Sequence, residues 1–369
     1  MKPDRKSGFF LEMNMSKKIV LTGGGTAGHV TPNIALLPGL KERGFDILYI
    51  GSYEGMEKGL IENEGIPYMG IATGKLRRYL SAKNITDIGN VIKGFSEAKA
   101  ILRDFKPDIV FSKGGFVSVP VVRAAHALKI PVIIHESDLT PGLANKLCYS
   151  AATKCCCNFP ETLKYLPEGK SVLTGSPIRK ELLSGSKVSG LKFAGLSGEK
   201  PVLMMIGGSL GAQRLNKWLR DCLPELLETF DIIHCCGKGN LDESLKDTKG
   251  YTQFEYVGPE LKDIYAASDI LFSRAGANVL CEILALKKPA LLVPLSKDAS
   301  RGDQILNARS FEKQGFSKCL EEEELTKEVF VQALLDVYQE KDKYIKAMEN
   351  STLGNGVDKI LSMIDEITA

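Results

Sequence analysis

From Lys18 onward, short runs rich in isoleucine and valine alternate with longer stretches of helical character. That alternation predicts βαβ units and a parallel sheet covered by helices on both faces. In the first half, strands are expected at 19–22, 46–51, 68–71, 109–112 and 132–135, with later ones near 153–158 and 171–173. Helices open where proline fits a first turn, after Pro32 and at Val119-Pro120. The second half restarts the pattern with strands at 202–206, 231–235, 252–256, 269–272 and 290–295. A helical tract over 325–348 ends before Gly354-Asn355-Gly356, and 357–367 makes one more helix. Between the halves, 184–200 is low in hydrophobicity and has little periodicity, which marks a domain crossing. The fold class expected is α/β, two doubly wound parallel sheets in tandem.

A length of 369 residues exceeds what one hydrophobic core usually serves, so two domains fit it. Apolar residues at 44% and charged residues at 25% are those of a soluble globular chain, and no apolar stretch is long enough to cross a bilayer. A net charge of +3 argues against nucleic acid as a partner. Nine cysteines, an odd number that includes Cys155-Cys156-Cys157 and Cys235-Cys236, lack the spacing of a disulfide framework and fit a reducing compartment. No CxxC pair accompanies them, so burial rather than a metal site is expected. Residues 1–17 read as a disordered extension, with an apolar stretch too short for a signal peptide.

Glycine turns follow the apolar strands at Gly23-Gly24-Gly25-Thr26-Ala27-Gly28-His29, at Gly114-Gly115, at Gly207-Gly208-Ser209-Leu210-Gly211 and at Gly276. Turns of this kind between strand and helix present backbone N–H groups to a ligand, and they gather at the carboxyl ends of parallel strands. Two such sheets leave a cleft between them. Gly23, Gly25 and Gly28 also satisfy G-x-G-x-x-G, the spacing of a dinucleotide-dependent oxidoreductase. That fingerprint wants an acidic residue at the end of the second strand, which here runs Ile50-Gly51-Ser52, with Glu54 late. In the second half Gly276 and Ala277 open a helix that carries Glu282, a carboxylate able to accept two hydrogen bonds from a ribose diol, while amides there receive a pyrophosphate without a metal.

Thr22-Gly23-Gly24-Gly25-Thr26-Ala27-Gly28-His29-Val30-Thr31-Pro32, Ser112-Lys113-Gly114-Gly115-Phe116, His135-Glu136-Ser137-Asp138, Gly142-Leu143-Ala144-Asn145-Lys146, Gly175-Ser176-Pro177-Ile178-Arg179, Ser273-Arg274 through Glu282, and Gly302-Asp303-Gln304 with its neighbours run in order along the chain. Together they resemble the MurG family of peptidoglycan glycosyltransferases, over almost the whole chain from Lys18. The resemblance implies a GT-B fold with two Rossmann-like domains: 18–178 for the acceptor and the membrane, 179–350 for the donor, and 351–369 as a terminal helix crossing back. It implies an inverting transfer of N-acetylglucosamine from UDP-GlcNAc to lipid I, with a β-1,4 link and lipid II as product. It also implies work at the inner face of the bacterial cytoplasmic membrane, on anionic lipid, beside other cell-wall synthesis proteins. No cofactor is implied, and no Asp-x-Asp pair marks a metal-dependent transferase.

Carried over residue by residue, Arg179, Ser209 and Gln304 match donor-binding positions of that family, and Glu282 its ribose-binding glutamate. Thr26, Ala27, Gly28, Asn145, Gly276 and Ala277 complete the expected substrate-binding set. Ala27 stands where many members carry glycine, which adds a methyl group beside the turn and is expected to alter affinity. For the base that takes the proton of the attacking hydroxyl, His29 has the right intrinsic pKa range and Glu136 is its rival. The stretch from Lys75 through Lys83 mixes four cations with Leu76, Tyr79 and Leu80, a composition suited to anionic headgroups. Alternatives of the same fold remain: a transferase for another lipid such as diacylglycerol, a UDP-GlcNAc 2-epimerase, or a nucleotide-sugar sensor that transfers nothing. The Lys113-Gly114-Gly115 and His135-Glu136 motifs argue against the first.

Overall fold

The computed structural model describes residues 16–74, 83–207, 212–297 and 302–369. Residues 1–15 of the expected extension, the turn that holds Ser209, and the side chains of the basic Lys75 to Lys83 stretch lie outside the described residues. The strands of the first half are β1 (Lys18–Thr22), β2 (Asp46–Ser52), β3 (Tyr68–Ile71), β4 (Ile109–Ser112), β5 (Val132–Glu136), β6 (Lys154–Cys157) and β7 (Ser171–Leu173). They form a seven-stranded sheet in the order β3-β2-β1-β4-β5-β6-β7, parallel throughout. β1 is central because Ile19, Val20 and Leu21 are wholly buried, with helices on both faces.

The second half holds β8 (Val202–Ile206), β9 (Asp231–Cys235), β10 (Tyr251–Phe254), β11 (Ile270–Ser273), β12 (Ala290–Leu292) and β13 (Lys318–Cys319). Their order, β10-β9-β8-β11-β12-β13, repeats that of the first six strands across the first sheet, which adds β7 at its edge. In both sheets the order reverses beside the central strand, at β1/β4 and β8/β11, and there the strand ends open a crevice for ligands. The two parallel Rossmann-like sheets expected from the alternation are therefore present.

Fourteen α-helices are described: α1 (Thr31–Glu42), α2 (Met56–Glu62), α3 (Lys83–Phe105), α4 (Ser118–Ala127), α5 (Leu143–Cys148), α6 (Lys187–Ala194), α7 (Gln213–Asp221), α8 (Leu223–Thr229), α9 (Leu261–Ala267), α10 (Ala277–Leu286), α11 (Asp303–Lys313), α12 (Lys327–Gln339), α13 (Lys341–Glu349) and α14 (Val357–Thr368).

Several elements differ from the sequence reading. The 184–200 stretch is not a linker: it contains α6, capped by Ser186 Oγ, which accepts from Ser189 N at 3.2 Å, and ended by Gly195 at φ 67°. α6 lies backbone to backbone on α9, since a Cβ at Gly185 or Gly190 would sit 2.0 and 2.1 Å from the carbonyl oxygens of Lys262 and Asp263. Close approach through glycine seats this helix on α9 while burying only Gly190 and Ala194, so it has no apolar stripe and none of the periodicity that reveals one. The helical tract at 325–348 divides at Glu340 into α12 and α13, and α12 begins at Thr326, whose side chain caps Val329 N. β12 stops at Leu292, and the edge strand β13 is too short to leave a pattern.

The chain crosses between the halves at 174–178 and returns at 350–356, and the two passages are bonded together. Ile178 N donates to Asn355 Oδ1 at 2.9 Å, Asn355 Nδ2 donates to Ile178 O at 2.7 Å, and Gly356 N donates to Ser176 O at 2.9 Å. Beyond that clamp α14 closes the core of the first half, burying Val357, Ile360, Leu361, Met363 and Ile364 among Leu36, Leu40 and Phe45. Five such side chains contribute roughly 10 kcal/mol of gross transfer free energy. Leu361 reaches so close that a Cβ at Gly39 of α1 would lie 2.3 Å from its Cδ1.

Candidate active site between the facing glycine turns

The first glycine turn rests on a buried polar framework. Tyr49 Oη donates to Gly23 O at 2.7 Å, and Asn33 Nδ2 donates to Thr22 O and to Tyr49 Oη at 3.2 and 3.1 Å. Glu57, wholly buried on α2, accepts from Gly25 N at 3.3 Å through one oxygen and from Ser52 N at 3.1 Å through the other. Gly25 has φ +85°, and a Cβ there would meet the Phe116 ring at 2.6 Å, so only glycine fits. Glu57 carried no signal in the sequence reading, being one acid among 45.

Ala27–His29 follow as a single turn of 3-10 helix. Thr26 is exposed, and its Oγ1 lies 3.2 Å from His29 Nδ1. That nitrogen is also 3.0 Å from Gly24 O; a carbonyl only accepts, so Nδ1 carries the proton and Nε2 keeps its lone pair, without a protein partner among the described residues. Burial first, and then the charge of Lys113, lower the His29 pKa to about 4, so the ring is neutral at physiological pH.

Glu136 is placed differently. Its Oε1 accepts from Ser137 N and Asp138 N at 2.9 and 3.3 Å, and its Oε2 from Gly142 N and Asn145 Nδ2 at 3.0 and 2.8 Å. Burial raises its pKa, while the Asn145 bond and those of the backbone pull it down. All four donors belong to the loop that follows β5 and to the start of α5, so this carboxylate shapes the loop. Asn145 is buried with it, also donates to His135 O, and turns an unpartnered Oδ1 toward Gly114.

In the second half, Gly276 caps α10 with extended backbone, and Ala277 is its first residue. One turn on, half-buried Glu282 accepts from Tyr265 Oη at 2.8 Å through Oε2, while Oε1 has no protein partner among the described residues. Burial pushes the Glu282 pKa up; Tyr265 and the nearby Arg179 guanidinium hold it down. Arg179 keeps a buried Nε without a partner. The carboxylate and the guanidinium that the sequence set 103 positions apart are thus neighbours, with Tyr265 between them as a residue the sequence reading missed. Gln304, on the first turn of α11, is pinned by Leu295 N, which donates to its Oε1 at 3.1 Å. Arg274 is occupied elsewhere: it donates to Val293 O and Pro294 O and pairs with buried Glu322 at 3.0 Å.

The two sets of residues face each other because the halves are docked there. Asn278 Nδ2 donates to Gly28 O at 3.1 Å, joining the start of α10 to the first glycine turn. Asn307 of α11 is wholly buried; its Oδ1 accepts from Leu139 N at 2.9 Å and its Nδ2 donates to Asp138 Oδ1 at 3.0 Å. Thr140 Oγ1 donates to Asp303 Oδ1, and Ser310 Oγ to the Glu161 carboxylate. No group of three or more metal-ligating side chains occurs among the described residues, and no described helix is long and apolar enough to cross a membrane. Such a cleft can bind a nucleotide on one wall and present a neutral imidazole from the other.

Residues 19–157 match the glycosyltransferase family 28 N-terminal domain and residues 202–364 match the C-terminal domain of the same family. Curated relatives named UDP-N-acetylglucosamine--N-acetylmuramyl-(pentapeptide) pyrophosphoryl-undecaprenol N-acetylglucosamine transferase share 60% identity in Lachnoclostridium phytofermentans and 59% in Lachnospira eligens. Each alignment covers 95% of this chain and 99% of the relative. Among solved structures, MurG of Acinetobacter baumannii superposes with a TM-score of 0.74 at 24% identity, over 95% of this chain and 99% of that one. The calicheamicin glycosyltransferase CalG4 superposes at 0.68 and 13%, over 96% and 98%, which extends the likeness of fold to a wider set of glycosyltransferases. With both domains matched in order and relatives near 60% identity over their full length, the chain belongs to glycosyltransferase family 28, in its MurG branch.

Proposed function

We infer that the chain transfers N-acetylglucosamine from UDP-GlcNAc to the muramyl sugar of lipid I, undecaprenyl-pyrophosphoryl-MurNAc-pentapeptide, and so makes lipid II. The observation that carries this reading is the full-length identity of 60% to transferases of that name, which spans both walls of the cleft. The geometry supports it. Glu282 Oε1 and Arg179 stand open on the donor wall as a ribose-binding pair, Gln304 offers its remaining amide to sugar hydroxyls, and the start of α10 at Gly276 and Ala277 supplies dipole and amides for the diphosphate.

His29 is the base of this mechanism, because its tautomer leaves Nε2 ready to accept a proton while both oxygens of Glu136 are engaged by the loop. The 4-hydroxyl oxygen of the muramyl sugar attacks C1 of the donor sugar from the face opposite the diphosphate. The new C1–O bond forms as the bond from C1 to the β-phosphate oxygen breaks; the hydroxyl proton passes to Nε2, and UDP leaves with the electron pair. Configuration at C1 inverts, giving the β-1,4 link. Charge developing on UDP meets the α10 amides and Arg179.

The acceptor's polyprenyl tail requires a membrane surface. Lys75, Arg77, Arg78 and Lys83 supply cations for anionic headgroups, and α3 exposes Ile88 and Ile92 just beyond them, at 51% and 63%. Replacing those four cations with Gln is expected to abolish binding to anionic vesicles, and unchanged binding rejects the membrane role of the stretch.

Mass spectrometry after mixing the protein with UDP-GlcNAc and a short-chain lipid I analogue tests the reaction. A product heavier by one N-acetylhexosamine, formed only with acceptor present, is expected. Donor conversion without acceptor points to an epimerase, and tight UDP binding without turnover to a sensor.

A further inference from the structure

Lys113 ends the run Ser112-Lys113-Gly114-Gly115 and bonds through its backbone N to Thr22 O, so it sits where β1 and β4 open into the cleft. Its side chain is among the most deeply buried in the protein, 1% exposed, directly beneath the first glycine turn. A buried ammonium needs partners. Here both are neutral: His135 Nδ1 at 2.8 Å and Ser137 Oγ at 2.5 Å. His135 is held as the Nε2–H tautomer by Gly175 O at 2.9 Å, in the first crossing between the halves, and is kept uncharged by burial and by Lys113. The 136–140 segment that the ammonium grips is the segment that docks on α11, through Asp138, Leu139 and Thr140.

The groups that face the ammonium are drawn from five elements: Glu136 and His135 at the end of β5 with Asp138 just beyond, Cys156 on β6, Cys281 on α10 of the other half, and His29 on the glycine turn. Asp138 raises the cost of ionising Glu136. A cation between the two halves offsets that repulsion; without it two carboxylates are left in one buried loop.

We propose that Lys113 is a positioning residue of the transfer: its buried ammonium holds His135 and Ser137 so that the 136–140 segment docks on the donor half, and loss of its charge undocks the cleft. The proposal rests on the transferase reading for its kinetic test alone. Burial lowers the Lys113 pKa to about 8, so the docked state gives way at alkaline pH.

The test compares the full-length protein with Lys113→Arg, whose guanidinium does not titrate, and Lys113→Met, a neutral side chain of similar length. With UDP-GlcNAc and a short-chain lipid I analogue, wild-type kcat/KM is expected to fall about tenfold per pH unit above about 8. Lys113→Arg is expected to move that limb upward by at least about one pH unit, and Lys113→Met to lower kcat roughly tenfold to hundredfold at pH 7.5 with no limb left. In parallel, hydrogen exchange of the Leu139 amide, bonded to Asn307 across the halves, is expected to speed up above pH 8 beyond its intrinsic pH dependence in wild type, at every pH in Lys113→Met, and not in Lys113→Arg. Identical limbs and identical Leu139 exchange in all three proteins overturn the proposal and leave the transferase reading intact. Absence of transfer by wild type at any pH overturns the transferase reading, and Leu139 exchange then still decides the role of Lys113.

Discussion

In the first half the glycine turn is held from below by Tyr49, Asn33, Glu57 and Lys113, all buried, and nearly every polar atom of that framework is engaged within the protein. In the second half, on α10, Glu282 keeps an open valence: its Oε1 lacks a protein partner among the described residues, with the Arg179 guanidinium close by. One sheet topology thus serves two ends. The first wall is preorganised to fix one imidazole in one tautomer, and the second leaves a carboxylate oxygen uncommitted, as the proposed binding of a donor that arrives and departs with each turnover requires.

The sharpest way to break this contrast is His29→Gln. It is expected to lower kcat by about 10²–10⁴ with donor KM little changed, as measured by steady-state transfer. A rise in donor KM without loss of kcat would move His29 to the binding wall. Glu282→Ala is expected to cost about 2–4 kcal/mol of donor binding, roughly 30-fold to 10³-fold in UDP affinity by calorimetry, with the fold intact. Next comes Asn307→Ala, which orphans Leu139 N and removes one bond to Asp138 at the docking edge; a tenfold loss of kcat/KM is about what one such buried interaction supports, with UDP affinity unchanged. Tyr265→Phe removes one hydrogen bond to Glu282 and is expected to weaken UDP binding about fivefold.

A pH series of thermal unfolding separates the framework from the ligand wall. His29 and His234 have folded-state pKa values of about 4 and 3, and His135 also lies well below 6.5. The unfolded chain therefore takes up protons first as pH drops through 6.5, so this part of the stability is complete above 6.5 and is lost as pH falls from there to about 4 for His29 and about 3 for His234. Tm is expected to fall over that window, and His234→Gln, at a buried site bonded to Tyr251 and Asn216, is expected to flatten the fall. For the reaction, His29 stays unprotonated down to about pH 5, so kcat/KM is expected to show no acid limb from it between 7 and 5.

What the sequence announced and what it hid follow from how each residue is recognised. Apolar runs such as 19–22 and 202–206 announce their strands because a strand buried on both faces has almost no polar positions to interrupt it. α6 stayed hidden because glycine contact, rather than an apolar stripe, holds it to α9. At the site, glycine turns and Glu282 were legible because local order, strand then glycine then helix, gives them away. Glu57, Tyr265, Asn278 and the gripping role of Lys113 were not, since each acts on a partner distant in sequence and has no local signature: Tyr265 meets Glu282 seventeen residues on, and Asn278 meets Gly28 across 250 residues.

The packing of α14 on α1 has a consequence for synthesis. Because Ile360, Leu361 and Ile364 seal the core beside Leu36 and Leu40, the first half emerges from the ribosome with an apolar face open and keeps it open until α14 has followed the second half out. The first half is thus completed only after the second has been made, and a chain that stops short of Val357 leaves an adhesive face exposed, at risk of aggregation or proteolysis, however complete its strands are.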